Sequence, residues 1–572
     1  MPQSNLHHRI IREALRLRVT ERGAFLLLAR SLSREMKHPM PSISSVRQAL
    51  LHYTAKIPTR QREALLGLLH KRNIRSLSGV AIITALTKPF PCPGRCTYCP
   101  TEARMPKSYL SNEPAAARAL ALKFDPYIQV QSRIRTLEDN GHPTDKIELI
   151  IKGGTWSSYP ARYQSWFIQR CFEAANGAPS PFPLPGVERV HTSLPRPLPA
   201  GERIKVRGFE KEQVKNEKAR HRIIGLTIET RPDWITLEEI VRLRKLGCTR
   251  VELGVQTTHE DILKRINRDH GIAEVERAAV LLREAGFKMD FHLMPQLPGA
   301  TPRRDYEMIK EIFENENLRP DMVKIYPCLV LPNALLYAQY KRGLYKPYSD
   351  RELAEMLIRA KSELIPRYCR ISRLIRDIPG NWIMAGNTMT NMREYIQAEM
   401  RKRGLKCKCL RCREIGHQNP PQSPFSKGGR KGDLKVFIDE YAASGGREYF
   451  LSIEDPERET VYAFCRLRLP AGSHPELYHD LPEIKGAALI RELHTYGHLV
   501  SLKRNNRTTG QRNNSGEVQH TGLGRALMQR AEEIAHEQGF QKMAVISGVG
   551  VRDYYRKLGY RHAGTYMIKF LQ

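Results

Sequence analysis

Three cysteines fall within eight residues in Cys92-Pro-Gly-Arg-Cys96-Thr-Tyr-Cys99. Thiolates are soft donors that match iron–sulfide chemistry, and a cubane needs one at each protein-ligated iron. Three ligands leave the fourth iron of a [4Fe–4S] cluster open to a small chelating molecule. A second tight group is Cys407-Lys-Cys409-Leu-Arg-Cys412. With Cys328 as the preferred fourth ligand, or His417 as the alternative, it has enough donors for a tetrahedral structural zinc. Cys171, Cys248, Cys369 and Cys465 read as buried small hydrophobes. Eleven cysteines grouped this way do not form a disulfide framework. A third feature is Gln519-His520-Thr521-Gly522-Leu523-Gly524, a Gln-x-x-Gly-x-Gly turn that opens a helix. Backbone N–H groups converging there suit a pyrophosphate.

These residues need elements to hold them. Short apolar runs at Val80–Leu86, Ile147–Lys152, Ile223–Ile228, Arg250–Gly254, Lys288–Leu293 and Met322–Ile325 alternate with helical patterns such as Leu237–Leu246 and Ala273–Ala285. That alternation predicts a parallel sheet with crossover helices, a partial or complete β/α barrel. Such barrels collect polar groups at strand C-termini. Lys152-Gly153-Gly154-Thr155, Glu229-Thr230-Arg231 and Glu252-Leu253-Gly254-Val255-Gln256 all fall there. From about residue 435 the pattern becomes α+β. Strands are expected at Phe450–Ser452, Thr460–Leu469 and Ala487–Leu493, then a helix Leu523–Glu537, a strand Lys542–Val549 and a short helix Val551–Leu558. The expected units are a basic helical segment 1–75, the β/α domain 76–330, a linker 331–434 carrying the zinc group, and the α+β domain 435–572. Three stretches read as insertions: 177–222, with its imperfect repeat PLPGVERV and PLPAGERI, then 418–431 and 503–516.

Lys and Arg number 93 against 60 Asp and Glu, a formal charge of +33, which favours a polyanion such as nucleic acid. Residues 1–75 hold 15 Lys/Arg against four Glu, a composition suited to tracking a phosphate backbone. A hydrophobic content of 41% excludes global disorder. With no bilayer-length apolar run and no secretory h-region, the expectation is a cytoplasmic protein without a membrane partner.

An aromatic residue before the last Cys of CxxxCxxC, in a loop that follows a strand, resembles the radical-SAM superfamily. That resemblance implies S-adenosylmethionine (SAM) on the open iron. Gly153, Gly154 and Thr155 then match the Gly-Gly motif that receives the methionine amino group, and Glu229, Arg231, Glu252 and Gln256 become expected SAM contacts. The turn Gln519–Gly524, with Ser547-Gly548-Val549-Gly550 and Tyr554-Tyr555 after it, resembles the GNAT acetyl-CoA fold. The whole chain resembles the Elongator catalytic-subunit family in its stand-alone prokaryotic form. This rests on YLSNEPAAAR (Tyr109–Arg118), Ile228-Glu-Thr-Arg-Pro-Asp233, Met294-Pro-Gln-Leu-Pro298, Arg376-Asp-Ile-Pro379 and Arg491-Glu-Leu-His-Thr-Tyr-Gly497. The three insertions depart from that family's pattern. The resemblance implies a radical-SAM β/α barrel fused to a GNAT-fold domain, acting on the wobble uridine of the tRNA anticodon region. Acetyl-CoA would be the carbon donor, and an electron donor and a second copy of the chain the other partners. Lys146, Tyr554 and Tyr555 match catalytic positions. Glu492, Leu493, His494 and Thr495 join Gln519–Gly524 as expected acetyl-CoA contacts. The competing reading is a protein lysine N-acetyltransferase with a structural cluster. A charge of +33 disfavours it, because its substrate tails are themselves cationic.

Overall fold

A computed structural model describes residues 2–53, 57–69, 79–177, 207–415, 434–496 and 522–572. Much of the expected insertion 177–222, all of 418–431 and 503–516, and His417, Gln519, His520 and Thr521 lie outside the described residues.

Seven parallel strands form the first sheet in chain order: β1 (Ala81–Leu86), β2 (Lys146–Lys152), β3 (Arg222–Thr230), β4 (Arg250–Gln256), β5 (Lys288–Leu293), β6 (Met322–Ile325) and β7 (Arg370–Arg373). Only neighbours in sequence pair, and β1 does not meet β7, so the sheet is a half-barrel with an open seam. In β2 the side chains alternate. Ile147, Leu149 and Ile151 are buried towards the helical layer, and Lys146, Glu148 and Lys152 project to the other face. Closed barrels fill their interior with branched apolar layers. Here the concave face carries Glu148, Lys152, Arg250, Glu252, Lys288, Asp290, His292 and Lys324, joined by ion pairs. β7 extends the sheet past residue 330. The expected linker 331–434 thus holds a strand of the half-barrel, and the helix Asp350–Glu363 that precedes it buries Leu353, Leu357 and Ile358 in the same core. At four residues, β7 is too short for its alternation to show in sequence.

The second sheet is mixed, in the order β13-β14-β12-β11-β10-β9-β8. Its strands are β8 (Lys435–Ala443), β9 (Gly446–Glu454), β10 (Val461–Leu469), β11 (Ala488–Thr495), β12 (Lys542–Val545), β13 (Arg561–Ala563) and β14 (Tyr566–Phe570). β11 and β12 run parallel, but pair only over Ala488–Ile490 and Met543–Val545. Beyond that β11 runs on to Thr495 while β12 has ended, which leaves a wedge beside β11, and the helix Leu523–Glu537 packs on β10 and β11. β12 ends four residues earlier than expected. Ser547 N–H turns back to Val545 O (2.9 Å), and the chain then crosses to the half-barrel.

The second sheet is set against the N-terminal ends of β3–β7. One apolar core runs through both sheets. Across it, Arg491 donates to Asp321 (3.0 Å), Arg468 to Glu284 (2.8 Å), and Lys288 to Glu492 (3.3 Å); within the second sheet Arg491 also donates to Glu448 (2.8 Å). At the other end of the chain, helices Pro2–Arg16, Arg22–Glu35, Ile43–Leu51 and Thr59–Leu68 close around Leu6, Ile10, Phe25, Val46 and Leu65. Arg47 and Gln48 fasten this small bundle to Glu138 O (3.1 Å) and Asp139 (2.6 Å) at the end of the helix Pro126–Asp139.

Candidate active site

The Cys loop leaves the C-terminal end of β1. All three of its thiols line one cavity of about 650 Å³. The loop is pinned from both sides: Thr97 N–H donates to Ile266 O (2.9 Å), and Leu336 N–H donates to Thr97 O (2.8 Å). Arg268 Nη1 donates to Cys96 Sγ (3.3 Å). Burial, then the neighbouring Cys96, pushes the Cys99 thiol up to about 12. Thr155 Oγ1 stands 3.6 Å from Cys92 Sγ. Gly153 has φ +147°, and a Cβ there would overlap Thr87 Oγ1, so only glycine lets the β2 end lie flush against the β1 end. Three soft donors on one loop, facing a cavity with room beside them, fit a cubane held by three thiolates.

A charge cluster forms the cavity floor. Lys152 is ion-paired with Glu252 and with Glu229 (3.2 Å). Lys324 is ion-paired with Glu252, and lies 3.7 Å from Asp290. His292 is 3.1 Å from Glu252 and 3.4 Å from Glu229, and the Tyr109 hydroxyl donates to Glu229 (2.7 Å). Burial opposes charge here. Even so, Lys152 and Lys324 hold Glu252 well below the ordinary carboxylate range, and Glu229 and Glu252 hold Lys152 well above the ordinary lysine range.

Gly154, Thr155, Glu229, Arg231 and Gln256 all line the cavity with the Cys loop. Glu252 does not. Its side chain is 1% exposed and committed to Lys152, Lys324 and His292, so it supports the floor and does not face the expected SAM position. Arg231 is held by Asp233 (2.9 Å) and Asp269 (3.2 Å). Tyr109, Arg268, His292, Lys324 and Tyr326 were not singled out as site residues from sequence. Lys288, Asp290 and His292 follow one another at period two along β5, the one signal that marks an inward polar face.

In the second sheet β11 divides two environments. Leu493 and Thr495 face the helix Leu523–Glu537: a Cβ on Gly524 would lie 3.7 Å and 3.6 Å from them, and 2.8 Å from the Tyr554 hydroxyl. Gly522 (φ +86°) caps that helix. The side chains of Glu492 and His494 point the other way, away from the helix Leu523–Glu537. Glu492 accepts from Arg466 (2.9 Å) and Lys288 (3.3 Å), and His494 stacks on Phe464 and packs against Tyr496. Strand parity is the reason. Tyr555 is buried in the second sheet's own core. Lys146 opens β2, paired in register with Arg222 at the end of the half-barrel nearest the second sheet; burial lowers its pKa, with Asp145 opposing.

The cavity runs the length of the open seam. Ile82, Thr84 and Leu86 of β1 form one wall, and Arg370 and Arg373 of β7 the other. It ends at Arg411 and Glu414, where the Tyr496 hydroxyl, just past β11, donates to Glu414 (3.2 Å).

Cys407, Cys409 and Cys412 converge with their sulfurs all within 4.8 Å of one another, a soft-donor set that fits one metal ion. Cys328 is not with them. It is buried among Val330, Leu331, Leu336 and Tyr345 in the cluster that also holds Cys96. The group beside the trio is instead Lys361, whose Nζ lies 3.4 Å from Cys407 Sγ and 3.8 Å from Cys412 Sγ.

The open parallel half-barrel with a three-thiol loop at its strand ends defines a radical-SAM domain, here joined to a mixed-sheet domain. Residues 185–312 match the Radical SAM superfamily model, and residues 320–402 match the Radical_SAM C-terminal domain. The chain is 42% identical over 521 residues to the tRNA uridine(34) acetyltransferase of Methanocaldococcus infernus, covering 89% of each. It is 41% identical over 502 residues to that of Dehalococcoides mccartyi (88% of this chain, 100% of the other) and 36% identical over 541 residues to the Homo sapiens Elongator complex protein 3 (92% and 91%). The solved structure of the Methanocaldococcus infernus Elp3 lacking residues 1–46 superposes with a TM-score of 0.67 at 40% identity, covering 86% of this chain and 100% of that one. The chain belongs to the tRNA uridine(34) acetyltransferase and Elongator complex protein 3 family. No described helix is long and apolar enough to cross a membrane.

Proposed function

We propose that this chain modifies the wobble uridine of tRNA by a radical route, carrying a carboxymethyl group from acetyl-CoA to C5 of the base. The observation that carries this reading is the seam cavity, one continuous space with the three thiols at one end and Glu414 beside Tyr496 of the second sheet at the other. The names of the relatives point to uridine 34, and a charge of +33 suits a tRNA.

Cys92, Cys96 and Cys99 would hold a [4Fe–4S] cluster, which with SAM would supply the one-electron chemistry that activates the acetyl methyl group. Gly153, Gly154 and Thr155 give the SAM amino acid end a backbone surface, and Glu229, Arg231 and Gln256 orient it from the cavity wall. Leu493, Thr495, Gly522, Leu523, Gly524 and Tyr554 frame the wedge that seats acetyl-CoA, with Tyr555 packed behind Tyr554. Gln519, His520 and Thr521 belong to the same turn but lie outside the described residues. Lys146 serves the end of the half-barrel that faces this wedge. The C5 hydrogen leaves as a proton, one electron returns to the one-electron carrier, and hydrolysis of the thioester leaves the carboxymethyl group. Cys407, Cys409 and Cys412 hold a structural zinc that braces the segment after β7. A one-electron reductant is the remaining partner.

The test is turnover of anaerobically reconstituted protein with SAM, reductant, acetyl-CoA and tRNA, read by nucleoside mass spectrometry. Carboxymethyluridine with 5′-deoxyadenosine is expected, and Cys96→Ser abolishes both products while tRNA still binds. Neither product from cluster-loaded, tRNA-bound wild type would refute the proposal.

A further inference from the structure

Glu217 lies just past the helix Arg207–Asn216, before β3, and is 7% exposed. It belongs to the radical-SAM half, yet both of its carboxylate oxygens are taken by the second domain. Oε1 accepts from Arg552 Nη1 (3.0 Å), and Oε2 from Arg556 Nη1 (2.7 Å). These arginines bracket the short helix Arg552–Arg556, which carries Tyr554 and Tyr555. They share one helix face, being four residues apart. The tyrosines between them turn towards the second sheet, where Tyr555 enters its core and the Tyr554 hydroxyl reaches the Gly524 turn.

The backbone leading into this helix is clamped to the same strand. A Cβ on Gly548 would overlap Ile224 O, and one on Gly550 would come 2.6 Å from Arg222 Cβ. This tail packs directly on the start of β3, backbone against backbone at Gly548, so a change in the Glu217 contact has little slack to absorb it before the tyrosines. An ion pair this buried is stiff, because losing one partner strands the other's charge.

We infer that Glu217 is a positioning residue for the acetyl-CoA site, through which the radical-SAM half sets the pose of Tyr554 across the domain interface. This rests on the reading of the second sheet as the acetyl-CoA domain. Glu217 touches no substrate. It acts through Arg552 and Arg556.

Acetyl-CoA binding to the full-length, cluster-loaded protein is measured by isothermal titration, alongside KM for acetyl-CoA and 5′-deoxyadenosine formed from SAM without acetyl-CoA. Glu217→Gln should weaken acetyl-CoA binding and raise KM by about tenfold, and leave 5′-deoxyadenosine formation unchanged. The triple variant Glu217→Gln/Arg552→Met/Arg556→Met should bind no more weakly than Glu217→Gln alone, since all three changes break one link. Arg244, another buried interface cation, donates to Thr565 O. Arg244→Met should lower thermal stability yet leave acetyl-CoA affinity within about twofold. Unchanged affinity in Glu217→Gln overturns the inference, as does an equal loss in Arg244→Met. If Glu217→Gln does not fold, Arg556→Gln replaces it: its side chain is 39% exposed, the expected loss is about threefold, and no loss overturns the inference. A wild-type protein that binds no acetyl-CoA would instead refute the reading of the second sheet.

Discussion

Glu252→Gln removes one carboxylate that neutralises two buried lysines. The side chain is 1% exposed, and Lys152 and Lys324 both pair with it. Glutamine keeps the shape and loses the charge, leaving the two ammonium groups with Glu229 and the more distant Asp290. Breaking a buried ion pair from one side costs about 3–5 kcal/mol. The loss falls on β4 and β5, so it is read locally by amide hydrogen exchange of peptides covering 250–256 and 288–293. At the lower figure, exchange from opened states should rise by about a hundredfold. The pH dependence has a definite sign. The folded pKa of Glu252 lies well below the ordinary 4.5, so its contribution is complete above that value and is lost only as pH falls below it. The gap between wild type and variant should therefore hold from pH 8 to about pH 5 and close in acid. Adding Lys324→Met removes a stranded cation and should recover at least half of the loss. Exchange in Glu252→Gln unchanged from wild type at neutral pH would refute this account of the floor.

Purified protein should carry about one zinc per chain by elemental analysis, lost in Cys409→Ser but retained in Cys328→Ser, since Cys328 is remote from the trio. Gly153→Ala forces a Cβ onto Thr87 at φ +147° and should abolish SAM binding by equilibrium dialysis while the separate N-terminal bundle still binds tRNA. Burial raises Asp305 from 3.8 to about 6, although Tyr348 and Gln296 N–H donate to it. A carboxyl raised on folding costs stability as pH climbs from 3.8 through 6. Denaturant titrations should therefore show Asp305→Asn gaining on wild type by up to about 3 kcal/mol between pH 4 and pH 7. Log affinity for tRNA should fall steeply with log salt, and deleting residues 1–75 should flatten that slope.

Chemistry that depends on local spacing was legible in the sequence. The Cys loop, Lys152-Gly153-Gly154 and the Gly522–Gly524 turn each announce themselves within a few residues. Short apolar runs also placed β1–β6 to within about two residues, because the face of each strand that packs on the helical layer is apolar even where the other face is charged. What stayed hidden depends on the third dimension. β7, β8, β13 and β14 were not anticipated, and β7 and β13 are too short to show a period. Whether Glu252 faces the cavity or supports it is decided by which cations β2 and β6 bring to it. The separation of Glu492 and His494 from Leu493 and Thr495 follows from parity once β11 is known to have two packed faces. Cys328 was an attractive fourth metal ligand only because nothing in a one-dimensional string shows that the β6 end and the Cys407 loop diverge.

Asp321 lies in the half-barrel, while Arg466 and Arg491, which answer it, lie in the second sheet. Cut the chain between the halves and Asp321 is left buried without either counter-ion, while the apolar core that both sheets share is laid open. Neither half is then a module that recombination could lift out and reuse, and neither should survive expression alone.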